Sequence, residues 1–158
     1  MMKNILIILL SFLIMTCSKE KPVDYEQEKN EVLSFLKDYS NYVNSNSTKN
    51  LNSYWVESDN TSYIALEQDT LIIGFENLNE YLLNRAKDIE RLEYSSWNPT
   101  IWISPTKSEA MVVFYSTKKI LFKNGFSLSL NRIRNSMLLV KFEGKWKILN
   151  LHESVRQK

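Results

Sequence analysis

Cysteine, histidine, glycine and proline are all scarce in this sequence: among 158 residues there are one Cys, one His, three Gly and three Pro. A single cysteine excludes an internal disulfide framework, and with a single histidine it leaves no cluster for zinc. The glycines, Gly74, Gly125 and Gly144, stand far apart. Glycine-rich dinucleotide and phosphate loops need them closely spaced, so both are excluded. Long basic blocks are missing too: the lysines are scattered and the net charge is only +2, which gives no footing for a nucleic-acid partner. Nothing points to a carboxylate-only metal site. The expectation is a domain without metal or cofactor. What is present is globular: 24% charged and 44% hydrophobic residues, in a chain long enough for one domain with a real core. There is no internal repeat and no low-complexity tract.

The amino terminus reads as an address. Lys3 supplies a short positive region, and Ile5 to Met15 form an apolar run of secretory-signal length, too short to span a membrane comfortably. Ile14-Met15-Thr16-Cys17 follows and resembles a bacterial lipobox. The resemblance implies a signal peptide over 1–16, cleavage before Cys17, and lipidation of that residue. A lone thiol has no disulfide partner in an oxidising compartment, and two or more acyl chains anchor a protein where one does not. Ser18, in place of an aspartate, resembles lipoproteins sorted to the outer membrane. Residues 17–24 would then be the lipidated cysteine and a short polar tether containing Pro22, and residues 25–158 the domain.

Within the domain, Val32, Phe35, Leu36, Tyr39, Tyr42 and Val43 recur at spacings of three and four, which predicts a helix over about Tyr25 to Val43. A polar break leads to a short second helix, Leu51 to Trp55. Tyr63–Leu66 and Thr70–Ile73 are short strand candidates, closed by Gly74. A third helix starts with Asn77 as N-cap, and Glu80 lies three residues on. From Leu92 the period changes to two. Four strands are predicted, about Tyr94–Ser104, Ala110–Phe122, Phe126–Phe142 and Lys145–Ser154, with turns at Lys123-Asn124-Gly125 and Glu143-Gly144. The lengths of the middle strands point to bulges and a bent sheet. Helices first and a meander after them indicate an α+β fold: three N-terminal helices packed on a strongly curved, mostly antiparallel sheet that leaves a conical pocket.

Three stretches, "NLNSYWVESD" (Asn50–Asp59), "IIGFENLNEYL" (Ile72–Leu82) and "RNSMLLVKFEGKWKILNLHES" (Arg134–Ser154), resemble the nuclear transport factor 2-like superfamily, in particular its SnoaL-like or polyketide-cyclase-like branch. The resemblance covers the chain from about Tyr25. It implies the cone fold but selects no activity, because that superfamily holds isomerases, dehydratases, cyclases, hydrolases, ligand binders and assembly domains. Steroid isomerases of this fold use a helix-one tyrosine, an aspartate base and a second, protonated acid. Tyr42 falls where the tyrosine would. Asn60–Gln68 holds Glu67 but no aspartate, however, and Met111–Ser116 holds no carboxylate. That mechanism is not supported.

The candidate site residues are few. On the last strand, two-residue alternation groups Trp146, Ile148, Asn150, His152 and Ser154 on one face and Lys147, Leu149, Leu151 and Glu153 on the other. Facing inward, His152 is a candidate base or hydrogen-bond donor, with Tyr42 as its partner; facing outward, it belongs to solvent or to a sheet-to-sheet dimer. Arg132 and Arg134 share a face of the preceding strand and could grip a carboxylate bidentately, form a solvated rim, or pair with Glu67 or Glu109. Tyr39, Trp55 and Tyr63, with Arg134, are the candidate ligand contacts, since Tyr and Trp pair apolar bodies with polar tips. Lys118-Lys119 reads as a solvated segment, and Glu57 and Asp59 as a polar turn or the rim of the pocket. Three functions are compatible with this: a membrane-tethered binder of a small, mostly apolar molecule, homodimeric through its sheet; an isomerase, dehydratase or hydrolase using His152 and Tyr42; or an envelope interaction protein without a ligand.

Overall fold

A computed structural model describes residues 25–66 and 70–155; the leader, Cys17 and Glu67 lie outside the described residues. Helix α1 runs Glu26–Asn44. Its apolar stripe buries Val32, Leu36 and Tyr39, while Phe35, Tyr42 and Val43 pack at the margin. Glu26 and Glu28 occupy its first turn, where negative charge suits the helix dipole. Glu28 and Glu31 also clamp Lys141 of the sheet, at 2.6 and 3.0 Å. The helix ends on Asn44, whose side chain hydrogen-bonds both the backbone N–H and the carbonyl of Tyr94. One side chain thereby acts as a short piece of neighbouring strand.

The expected second helix is only a single 3-10 turn, Leu51–Ser53, so the described residues form two α-helices rather than three. Asn50 enters the turn in the left-handed region at φ 60°. Immediately after it the backbone is drawn out against the last strand: Ile148 N–H donates to the Tyr54 carbonyl at 2.7 Å, and Val56 N–H to the Ile148 carbonyl at 3.0 Å. A helix cannot continue through such strand-like pairing. Trp55 is driven into the core by it, with 1% of its surface exposed.

Helix α2, Phe75–Asp88, begins three residues earlier than Asn77 would set it, and its N-cap is Gly74 at φ 88°, ψ 142°. That conformation is essentially restricted to glycine. Asn77 instead bonds back to the Ile73 carbonyl.

Six strands form one sheet: β1 Ser62–Ile64, β2 Ile72–Ile73, β3 Ile89–Ile103, β4 Glu109–Phe122, β5 Ser127–Phe142 and β6 Lys145–Ser154. Their spatial order is β2-β1-β6-β5-β4-β3. All neighbours are antiparallel except β1 and β6, which run parallel. The β5–β6 hairpin turns on Glu143 at φ 50° and Gly144 at φ 77°, two residues with positive φ that match the twist of the strands they join.

Four register shifts bend the curved sheet, the first where Glu90 stands between the Ile89–Phe122 and Arg91–Leu121 pairs of β3 and β4. On β3, Asn98 and Pro99 intervene between the Trp97–Tyr115 and Thr100–Val113 pairs. On β5, Asn131 and Arg132 stand opposite Thr117 alone. On β6, Leu149 is an extra residue between Ile148, paired with Leu139, and Asn150, paired with Leu138. One face of the sheet packs on α1 and carries the core, including Val112, Phe114, Met137, Leu139, Ile148 and Leu151. The other face is partly bare, exposing Trp102, Met111, Val113, Tyr115 and Phe142. No described helix is long and apolar enough to cross a membrane.

Candidate functional site

Between α1, α2 and the inner face lies a cavity of about 50 Å³. A single water needs roughly 10–15 Å³ on this measure, so the space takes a few waters or one small polar group, and a larger molecule only in part. Tyr39 and Tyr42 line it from α1, Leu82 and Arg85 from α2, Tyr63 from β1, and Trp55 from the loop before β1. Tyr94, Lys118 and Glu153 come from β3, β4 and β6, and Asn46, Ser47 and Thr48 sit in the loop at one side.

Its polar centre is Glu153. Oε2 accepts a hydrogen bond from Tyr63 Oη at 2.9 Å and one from Lys118 Nζ at 2.5 Å. The Lys118 and Glu153 side chains are each 3% exposed. Removing two charges from water costs several kcal/mol per ion. Here their mutual attraction and the Tyr63 hydroxyl offset that cost. β5 separates the two residues' strands, and Asn135, the register partner of both Phe114 and Glu153, lies between them. Asn135 is itself 4% exposed and donates to Ser116 Oγ at 2.9 Å.

Three phenols around this pair are held neutral. Burial raises Tyr39 well above its ordinary value, and the negative charge of Glu153 adds to the effect while Arg85 opposes it. Tyr94 is raised by burial and then by Glu153, against a hydrogen bond with Ser116. Tyr42 is pushed up to about 12, chiefly by burial with Tyr54 adding. The Tyr42 hydroxyl is buried without a hydrogen-bond partner; its ring stacks on Tyr54 at 4.4 Å. All three therefore remain hydrogen-bond donors at ordinary pH. Arg85 is engaged in interactions of its own.

Tyr39, Tyr42, Trp55 and Tyr63 are thus brought together around one cavity, whereas His152 and Arg134 are not. Both are exposed on the opposite face of the sheet, where they line a groove of about 440 Å³. His152 and Tyr42 therefore form no dyad. The reason is the Leu149 bulge. Strict alternation groups His152 with Trp146 and Ile148, but the extra residue reverses the phase halfway along β6. Trp146 and Ile148 are buried before the bulge, and Leu151 and Glu153 after it. Glu153 thereby takes the inward place that His152 would hold in a regular strand.

Lys118 corrects a second expectation, because Lys119 is solvated as predicted but Lys118 is 2% exposed. The sequence does contain the signal: Ala110, Val112, Phe114, Ser116, Lys118 and Ile120 are the alternate residues of one strand, so Lys118 interrupts an otherwise apolar or small face. Among the described residues no group of His, Cys, Asp or Glu is placed to hold a metal ion.

A curved mixed sheet closed by two helices over a tyrosine-lined cavity, with one buried ion pair at its centre, defines a compact α+β pocket domain. The SnoaL-like domain model matches residues 32–157, and the chain belongs to that family. Among solved structures it is similar to a nuclear transport factor 2-like superfamily protein from Salmonella enterica serovar Typhimurium, with TM-score 0.73 and 18% identity over 84% of this chain and 93% of that one. It is also similar to a proposed dehydratase of that family from Streptomyces avermitilis, with TM-score 0.72 and 9% identity over 84% and 98% of the two chains. A third is a proposed scytalone dehydratase from Novosphingobium aromaticivorans, with TM-score 0.71 and 16% identity over 83% and 85%. At these identities the likeness is one of fold. No curated protein matches the chain.

Proposed function

We propose that this chain is a small-molecule-binding SnoaL-like domain, held on the bacterial cell envelope by a lipidated Cys17. The ligand is small and mostly apolar, and only its polar end enters the cavity, seated against Lys118, Glu153 and Tyr63. The observation that carries this reading is the buried ion pair in a cavity lined by Tyr39, Tyr42 and Trp55. A buried ion pair lining a cleft marks a candidate functional site, and as a stabilising device such a pair is poor. The test uses the whole chain extracted from membranes with detergent. A small molecule released on denaturation from wild type, and missing from a cavity-blocking Ala86→Trp variant, would support it. Identical extracts from the two would sink it.

A second reading, acid–base catalysis of an isomerisation, dehydration or hydrolysis, is favoured by one observation. Glu153 is a carboxylate beside phenols that keep their protons, so an acceptor and donors of protons share one space. Glu153 would replace His152 in that role. With the released molecule as substrate, turnover falling about 10²–10⁴-fold in Glu153→Gln would mark catalysis; unchanged chemical composition after incubation would leave binding alone.

The anchor would place the protein at the outer membrane. Labelled palmitate should enter wild type and not Cys17→Ala. Two copies would pair through the apolar end of the outer sheet face, where Trp102 is 57% and Phe142 50% exposed. Trp102→Glu should then convert a sedimenting dimer to monomer.

A further inference from the structure

The geometry points to a second binding site, on the outer face of the sheet, for a small carboxylate. This inference stands apart from the cavity and does not depend on its ligand. Register puts Ser136 opposite His152 and Arg134 opposite Ser154, with Tyr115 on the far side of Arg134. Arg134 and His152 are therefore diagonal neighbours on adjacent strands, both exposed, with a hydroxyl beside each. Together they line a groove of about 440 Å³, within the range of small-ligand sites, roughly 300–1,000 Å³.

Charge selects the occupant. No carboxylate lines the groove, and no described residue forms a hydrogen bond or ion pair with the Arg134 or His152 side chain. An arginine in a carboxylate-free groove presents a planar fork of donors that matches a carboxylate in two parallel bonds, and the neighbouring imidazole and serine hydroxyls can supply further donors. The cost that would weigh against a buried arginine does not arise, because Arg134 stays in water until a ligand arrives.

The apolar wall is fixed in advance. Tyr115 stacks on Trp97 at 6.1 Å, and the Arg132 guanidinium lies 5.8 Å from the centre of the Tyr115 ring. A ring held by two neighbours offers an apolar edge at little entropic cost. The ligand class that fits is a carboxylate attached to a flat or apolar body.

Benzoate is a direct probe, with benzamide as its uncharged counterpart. His152 is the sole histidine, so its imidazole proton signals report the groove without assignment. Titration of the whole chain with benzoate should shift them saturably. Benzamide should bind at least tenfold more weakly, and Arg134→Gln should weaken benzoate at least tenfold. Ser136→Ala should weaken benzoate by a smaller factor. Arg134 and Ser136 are both surface positions, so the variants retain the fold, as circular dichroism would verify. Equal affinity for benzamide, an unaffected Arg134→Gln variant, or the absence of a saturable shift would each overturn the site. So would dissociation of a dimer as benzoate is added, since the groove would then belong to a second copy of the chain.

Discussion

The inner and outer faces of the sheet use similar chemistry under opposite conditions. Inside, Lys118 and Glu153 are buried and paired to each other. Outside, Arg134 and His152 are wet, with no side-chain partner among the described residues. Glu153 and His152 are consecutive residues of one strand, yet one belongs to the cavity and the other to the groove. Residue type did not decide their roles; backbone phase did. Mutating the two faces should accordingly give very different energies.

The largest difference should come from single removals inside. Glu153→Ala or Lys118→Ala leaves one uncompensated charge in the core and should cost about 3–5 kcal/mol in urea unfolding. The double change Lys118→Met with Glu153→Leu removes both charges, and should come out neutral or stabilising by about 1–4 kcal/mol while abolishing ligand retention. A double variant as unstable as the singles would show that the pair holds the fold together, and would break the contrast between faces.

Alkaline pH should act on the inner face. For a tyrosine, folding that raises the pKa favours the neutral form. Below the unfolded value of 10.0 both states are protonated and the full stability is present. As pH rises from there toward about 12, the unfolded chain ionises before Tyr42 does, so stability falls. Tyr42→Phe should make this fall shallower. At neutral pH the same variant should be neutral or gain up to about 1 kcal/mol, because it deletes a buried hydroxyl that has no partner.

A smaller acid effect belongs to the clamp between α1 and β5. The hydrogen bond from Lys141 comes first among the causes that lower Glu31 below its ordinary value of 4.5. Its contribution is present above that value and lost as pH falls through the lowered one. Glu31→Gln should therefore flatten the acid limb of the stability curve. Least of all should happen outside: Arg134→Ala and His152→Ala should each change stability by no more than about 0.5 kcal/mol. A larger loss would mean that the groove residues are structural.

Much of this architecture was legible before any coordinates. The α1 stripe and the Glu143-Gly144 turn are encoded within a few residues, so local periodicity and turn chemistry reveal them. Tyr39, Trp55 and Tyr63 could be named as candidates because Tyr and Trp pair an apolar body with a polar tip, and Tyr42 because of the family resemblance. The parallel pairing of β1 with β6 joins Ser62 to Asn150, which no local pattern signals. Leu51–Ser53 resembles a helix locally but is overruled by pairing between Trp55 and Ile148. Glu153 was missed because a bulge is a property of two strands in register. Nothing in "KILNLHES" alone marks Leu149 as supernumerary. Lys118, by contrast, was written in the alternation of β4 and was hidden only by its neighbour Lys119.

The Leu149 bulge carries a consequence for how this strand tolerates shortening. Losing one residue from the middle of a β-strand ordinarily turns everything beyond it inside out. Here the spare position is Leu149 itself, and its excision would join Ile148 to Asn150 in plain alternation, leaving Leu151 and Glu153 pointing where they already point. A one-codon deletion at this spot should be survivable, while deletion of Leu151 should cost more, because Asn150 would then take its buried place.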